Sequence, residues 1–177
     1  MTITYAHNTG LRMNKVSIII FAAIAALLGV MSHDRNLVWM DAVSLWKDIA
    51  EKSPSKSRAQ YNLGVAYKDA GNMPLAARAL IEAVRLDPNS PEARNNLGNV
   101  YFVSGMFEEA AAQYKVAVTL FTENAEAHYN LALIYRSQGR YGEAAAHFEK
   151  FADYAGPEYG LEAASARRFV KEYGATQ

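Results

Sequence analysis

Asn62, Asn96 and Asn130 recur at a spacing of 34 residues. A carboxamide both donates and accepts hydrogen bonds, so a row of three can bind the main chain of an extended peptide without demanding a particular sequence. Other side chains share the same helical face. Tyr61, Asn95 and Tyr129 stand one residue before the asparagines, Val65, Asn99 and Leu133 three after, and Lys68, Phe102 and Arg136 six after. These side chains are the candidate protein-binding or peptide-binding site, a mixed apolar and amide groove. If Tyr61, Val65, Phe102, Tyr129 and Leu133 are exposed together they form a binding patch; if the chain closes over them they are core. The competing reading is structural: the asparagines then satisfy local backbone groups or water.

No catalytic constellation accompanies them. His7, His33, His128 and His147 have neither metalloprotease nor zinc-finger spacing, and nucleophile-elbow, P-loop and dinucleotide-binding motifs are missing from the sequence. A non-enzymatic protein is therefore expected, with no catalytic residues, metal, cofactor or small-molecule substrate. His128, at the start of a helix, reads as a partly exposed structural histidine. The 18 basic and 18 acidic side chains cancel, which removes the electrostatic case for nucleic acid as a partner. Cysteine is absent, so disulfides and thiol chemistry are excluded.

The elements that position the asparagines follow from the same period. Gly71, Gly105 and Gly139 are 34 residues apart, as are Tyr67, Tyr101 and Tyr135, and Ala76, Ala110 and Ala144. A period of roughly 20 to 50 residues marks a solenoid, whose units bury their apolar faces only by stacking. Three units result, residues 57–90, 91–124 and 125–158, each of two helices and a turn. Gly64, Gly98 and Ala132, set against Ala76, Ala110 and Ala144, let paired helices approach closely. Each inter-helix glycine fits a left-handed C′ position that reverses the chain. Asp87-Pro88 ends one helix, and Ser90-Pro91 caps and starts the next.

The pattern Leu63-Gly64, Tyr67, Ala76, Leu80, Pro88 and its repeats through Leu97-Gly98, Tyr101, Tyr114, Leu131-Ala132 and Phe148 resembles the tetratricopeptide repeat (TPR) family. The resemblance implies an all-α, right-handed superhelical solenoid that binds protein segments in its concave groove, and in some members an asparagine ladder holds the peptide main chain. The carboxylate clamp of chaperone-binding members carries over only at Asn96. Tyr61, Val65, Glu126 and Asn130 stand where lysine, asparagine, lysine and arginine belong, and Glu126 would repel a carboxylate.

Both ends of the array look covered. Residues 38–54 carry Trp39, Val43, Trp46 and Ile49 on a helical stripe and read as a half-repeat helix. Residues 159–177 read as a capping helix and tail, with Leu161, Ala164, Phe169 and Val170 near one face and Arg167, Arg168 and Lys171 left for solvent or a partner.

The run from Val16 to Met31 is uncharged and apolar, preceded by Arg12 and Lys15. It falls short of the roughly 20 residues of a spanning helix unless Met13 to Ser32 is used with Lys15 snorkelling. Three readings stand: an uncleaved transmembrane signal anchor over residues 16–32 after a 1–15 tail, a signal peptide cleaved near Val30-Met31-Ser32 to give a secreted form, and a buried soluble helix. Met13 is an alternative start. The basic flank favours an N-terminus inside, hence a single-pass inner (cytoplasmic) membrane protein with its repeats in the periplasm. The stretch Arg35-Asn36-Leu37-Val38-Trp39-Met40-Asp41, Leu45-Trp46-Lys47-Asp48 and Lys52-Ser53-Pro54 resembles the junction of bacterial transmembrane-and-TPR proteins associated with glycosyl transfer.

Two functions are expected to compete. One is a membrane-anchored adaptor or scaffold holding a partner segment in the groove. The other is an accessory subunit of a membrane complex, bound through Val16 to Met31 and its outer surfaces. Help for a glycosyl-transfer system is a third.

Overall fold

The computed structural model describes residues 41–174, and among these residues eight α-helices follow one another without a strand. The expected membrane helix, the N-terminal tail and Trp39 lie outside the described residues. No helix among the described residues is long and apolar enough to cross a membrane. From Ala42 onward the chain forms one compact unit. Its helices are α1 (Ala42–Lys52), α2 (Ser57–Asp69), α3 (Met73–Leu86), α4 (Pro91–Val103), α5 (Phe107–Leu120), α6 (Ala125–Ser137), α7 (Tyr141–Tyr154) and, after a 3-10 turn at Pro157–Tyr159, α8 (Gly160–Tyr173). Each helix packs on its predecessor, with the hairpins α2/α3, α4/α5 and α6/α7 making the densest contacts.

Local chemistry sets these boundaries. Asn72, Ser90 and Asn124 cap α3, α4 and α6 by accepting from the backbone N–H of Leu75, Ala93 and Ala127 at 3.2, 3.1 and 3.0 Å. Helices α5 and α7 lack such a cap and instead place Glu108, Glu109 and Glu143 in their first turns, at the positive end of the helix dipole. Gly71, Gly105 and Gly139 have φ of 76°, 76° and 73°. A Cβ there would meet nothing within 4 Å, so backbone conformation rather than space demands glycine.

Close approach within the hairpins has a different partner from the expected one. A Cβ on Gly64 would stand 2.6 Å from Leu80 Cγ, and one on Gly98 2.6 Å from Tyr114 Cε1. The glycines oppose these large side chains, one turn beyond Ala76 and Ala110, because helical side chains lean toward the N-terminus. Leu80, Tyr114 and the alanines are all fully buried.

The capping helix is also rotated from expectation. Ala163 and Ala166 are its buried residues, with Phe169 and Val170 half-buried, whereas Leu161 is 86% exposed. Arg167 is not left over, since its guanidinium donates to the Ala152 carbonyl oxygen at 2.9 Å and so ties α8 to the end of α7. At the other end α1 contributes Trp46, Ile49 and Ala50 to a small cluster with Ala59, Leu63, Tyr67 and Ala79.

Candidate functional site

The first helices of the three hairpins, α2, α4 and α6, carry all the candidate side chains, and the structure joins most of the polar ones into two hydrogen-bonded groups. A step of one residue turns a helix by about 100°, so neighbouring asparagines on α4 face different helices. Asn96 faces back to α2. Its Oδ1 accepts from Lys68 Nζ at 2.9 Å, and its Nδ2 donates to Tyr61 Oη at 3.2 Å and to the Glu92 carbonyl at 3.1 Å.

Asn95 and Asn99, one turn apart, face forward to α6. Their Nδ2 groups donate to the two oxygens of the Glu126 carboxylate, each at 2.8 Å. Asn99 Oδ1 accepts from Tyr114 Oη at 2.7 Å and from Asn130 Nδ2 at 3.0 Å, which fills its lone pairs. Asn95 is only 5% exposed, and its Oδ1 has no partner. Turning this amide over would set that oxygen against the Glu126 carboxylate, so the charge fixes the orientation and leaves the acceptor unpaired.

The expected row of equivalent amides is therefore three different situations. Asn96 uses both its oxygen and its amino group, Asn130 spends its amino group inside the fold, and Asn62 makes no hydrogen bond among the described residues. Register explains the difference. Asn96 reaches back to Lys68 and Tyr61 on the preceding first helix, but before α2 there is only the half-repeat α1. Asn62 is the open end of the ladder, beside a cleft of about 400 Å³ lined also by Arg58, Tyr61, Asp87 and Glu92.

The apolar members form neither an open patch nor a closed core. Tyr61, Val65, Phe102, Tyr129 and Leu133 are all half-buried, and Phe102 stacks edge-on against Phe107. Arg136 lies 5.8 Å over the Phe148 ring.

Glu126 and Tyr114 are the polar residues that sequence reasoning missed. Glu126, read as a group that would repel a ligand carboxylate, is held by two amides of its own chain. Glu92 occupies the same place one unit earlier but faces positions 61 and 65, which are Tyr and Val, and it accepts instead from Ser90 Oγ at 3.1 Å. Burial pushes the Tyr114 phenol well above its usual pKa, with the Glu126 charge adding to the effect. Tyr61 moves the same way, through burial and then Glu92 and Glu126. Both hydroxyls stay neutral at physiological pH.

His128 is not partly exposed but 5% exposed, between α6 and α7. Its Nε2 lies 3.0 Å from the Thr122 carbonyl and its Nδ1 2.9 Å from His147 Nδ1. A carbonyl only accepts, so His128 carries its proton on Nε2 and receives one from His147 Nδ1. Burial lowers both pKa values, His147 to about 4 with help from His128. The pair is neutral and satisfied, and no group of three or more His, Asp or Glu among the described residues can hold a metal ion.

The TPR repeat family matches residues 64–105 and 98–139, and the tetratricopeptide repeat description extends through residues 125–155. The chain belongs to the tetratricopeptide repeat family. Solved TPR structures agree. Crystal structures of MamA superpose with TM-scores of 0.64 and 0.61 at 25% and 26% identity, covering 85% and 74% of this chain and 85% of each MamA chain. The first TPR of Spaghetti (RPAP3), bound to HSP90 peptide SRMEEVD, superposes at 0.60 with 20% identity over 66% of this chain and 91% of its own, a likeness of fold. No curated protein sequence matches the chain.

Proposed function

We propose that this TPR protein is a non-enzymatic scaffold that holds an extended segment of a partner protein against α2, α4 and α6. One observation carries the reading: these helices present a continuous, half-buried surface of rings, aliphatic groups and amides on which Asn62 keeps its full hydrogen-bonding capacity. Half-buried apolar groups next to unspent amides gain from a covering main chain, which removes their residual area from water and pairs with the amide. The fold that binds a peptide in Spaghetti is the same fold.

The apolar run from Val16 to Met31, flanked by Arg12 and Lys15, supports anchoring in the inner membrane with the repeats on the periplasmic side. An anchor raises the effective concentration of the groove near membrane partners. Fusing alkaline phosphatase after Gln177 tests this topology: enzyme activity in cells supports it, and an inactive fusion places the repeats inside.

The accessory-subunit reading is favoured by a separate feature. The tip of the second hairpin exposes Val103 (67%), Met106 and Phe107, which gives an outer surface for docking on a complex. Photo-crosslinking separates the two readings. A benzoylphenylalanine at position 62 or 136 captures the partner if the groove is used, and one at position 103 captures it if the hairpin tip is used. Capture from position 103 alone refutes the scaffold reading.

A further inference from the structure

We infer that the α6–α8 end of the groove is a subsite for a carboxylate side chain, an aspartate or glutamate within the bound partner segment. The inference rests on the proposed use of the groove and names the chemistry that it selects.

A cation meets an amide of the next first helix at one end of the array and finds none at the other. On α2, Lys68 donates to Asn96 of the next first helix. Arg136 is the residue of α6 at the same register, two periods on. The following helix, α8, offers Ala164, Ser165 and Ala166 along the corresponding stretch, and Arg136 makes no hydrogen bond or ion pair among the described residues. Its guanidinium lies over the Phe148 ring. Arg168 on α8 likewise has neither a hydrogen bond nor an ion pair among the described residues.

Arg136 and Arg168 line one cleft of about 190 Å³, together with Tyr129, Phe148 and Phe169. Phe148 sits edge-on to Tyr129 at 5.8 Å and to Phe169 at 5.1 Å, so the three rings form one wall. The cleft is smaller than the roughly 300 Å³ at the low end of small-molecule pockets, so it suits one side chain of a longer ligand. A planar guanidinium backed by a ring presents its N–H fork to a planar acceptor, and a carboxylate matches it with two parallel bonds.

Glu162 and Glu172 line the same cleft. Neither pairs with Arg136 or Arg168, and Glu172 is engaged by the neighbouring Tyr173 hydroxyl. The Glu126 carboxylate fixes where the ligand acid must sit. It already fills the amide site at the other end of α6, about 15 Å away by helical rise, and repels a second acid there.

The test is display selection of random dodecapeptides on the full chain in detergent micelles, followed by affinity measurement on one synthetic winner. Winners are expected to share an acidic residue. Replacing it by its amide weakens binding at least tenfold on the wild type and less than twofold on Arg168→Gln, a variant that breaks no bond of the fold; Arg136→Gln behaves alike if it keeps its helical signal. Winners without an acidic preference, or an equal loss on wild type and Arg168→Gln, overturn the subsite and leave the groove standing. Failure to enrich any peptide overturns both.

Discussion

Glu126→Ala removes a carboxylate that bridges α6 to α4, and its cost follows from what each amide is left with. Asn99 is half-buried, so water replaces the lost acceptor at small expense. Asn95 cannot recover in that way. It is 5% exposed, its Oδ1 is already unpartnered, and without Glu126 its Nδ2 joins it. A buried orphaned donor costs about 1–3 kcal/mol, and loss of an acid from a helix first turn adds about 0.3–1. The better helix propensity of alanine returns a few tenths. The expected net loss is about 2 kcal/mol, or roughly 4–8 °C in Tm for a chain of this size.

Urea unfolding followed by far-UV circular dichroism measures the loss, and a double-mutant cycle locates it. Asn95→Leu/Glu126→Leu replaces both partners by apolar groups, which removes the orphan as well as the bond, so the double variant is expected to be more stable than Glu126→Ala. A loss below about 0.5 kcal/mol for Glu126→Ala, or strict additivity in the cycle, refutes the argument. The bridge would then contribute no more than an ordinary surface pair.

Other expectations follow from the same contacts. His147 has its pKa lowered to about 4 and His128 is lowered too, so the unfolded chain binds protons more readily. Their contribution is complete above about pH 6.5 and fades as pH falls toward 4; a shift of this size corresponds to about 3 kcal/mol, discounted to about 1–2 because His147 is partly solvated. Equal urea stability at pH 7 and pH 5, or an undiminished pH 5 loss in His147→Gln, contradicts this. Gly98→Ala sets a methyl 2.6 Å from the fully buried Tyr114 ring, and overpacking of about 1–3 kcal/mol outweighs the helix gain of up to about 1; a thermal melt at or above that of the wild type refutes it. Gly105→Ala meets no atom but forces alanine to φ 76°, costing about 1–2 kcal/mol by denaturation, and an unchanged midpoint argues against backbone strain at the turn. Val103→Ser leaves stability within about 0.5 kcal/mol because the side chain is exposed, and a larger loss means that the hairpin tip belongs to the core.

What the sequence made legible was whatever the 34-residue period encodes. Gly71, Gly105 and Gly139 mark the reversals because only glycine takes positive φ cheaply, and Ser90-Pro91 marks a start because a hydroxyl cap and an N1 proline act within four residues. Contacts between units obey no such local rule. Asn95 and Asn99 meet Glu126 across 31 and 27 residues, and the pairing depends on which way α4 turns each amide. His128 and His147 meet across 19 residues, between helices whose mutual rotation no single position states. The rotation of α8 was hidden for a related reason. Two pairs at helical spacing, Ala163/Ala166 and Leu161/Ala164, compete for one face, and the choice falls to the pair whose small side chains admit α8 closely to α7.

The asymmetry of the ladder says most about use. If the asparagines had only a packing role, each would be spent in an equivalent contact, since each stands at the same register. They are spent unequally, and the pattern follows the ends of the array. In the interior Asn96 bonds through both its oxygen and its amino group and Glu126 is shared by two amides, whereas Asn62 at one end and Arg136 at the other lack the neighbour that would occupy them. A solenoid whose interior polar groups mostly satisfy one another gains rigidity there and keeps much of its unspent hydrogen-bonding capacity at the margins. A bound segment would then be fixed at its two ends, by an amide beside α2 and by cations between α6 and α8, while its middle rests on half-buried rings and aliphatic groups. That arrangement predicts selectivity by terminal contacts. Alanine replacement in the middle of a bound dodecapeptide should weaken it by less than about 1 kcal/mol per position, and loss of its acidic anchor by about 1.4 kcal/mol or more, a factor of ten.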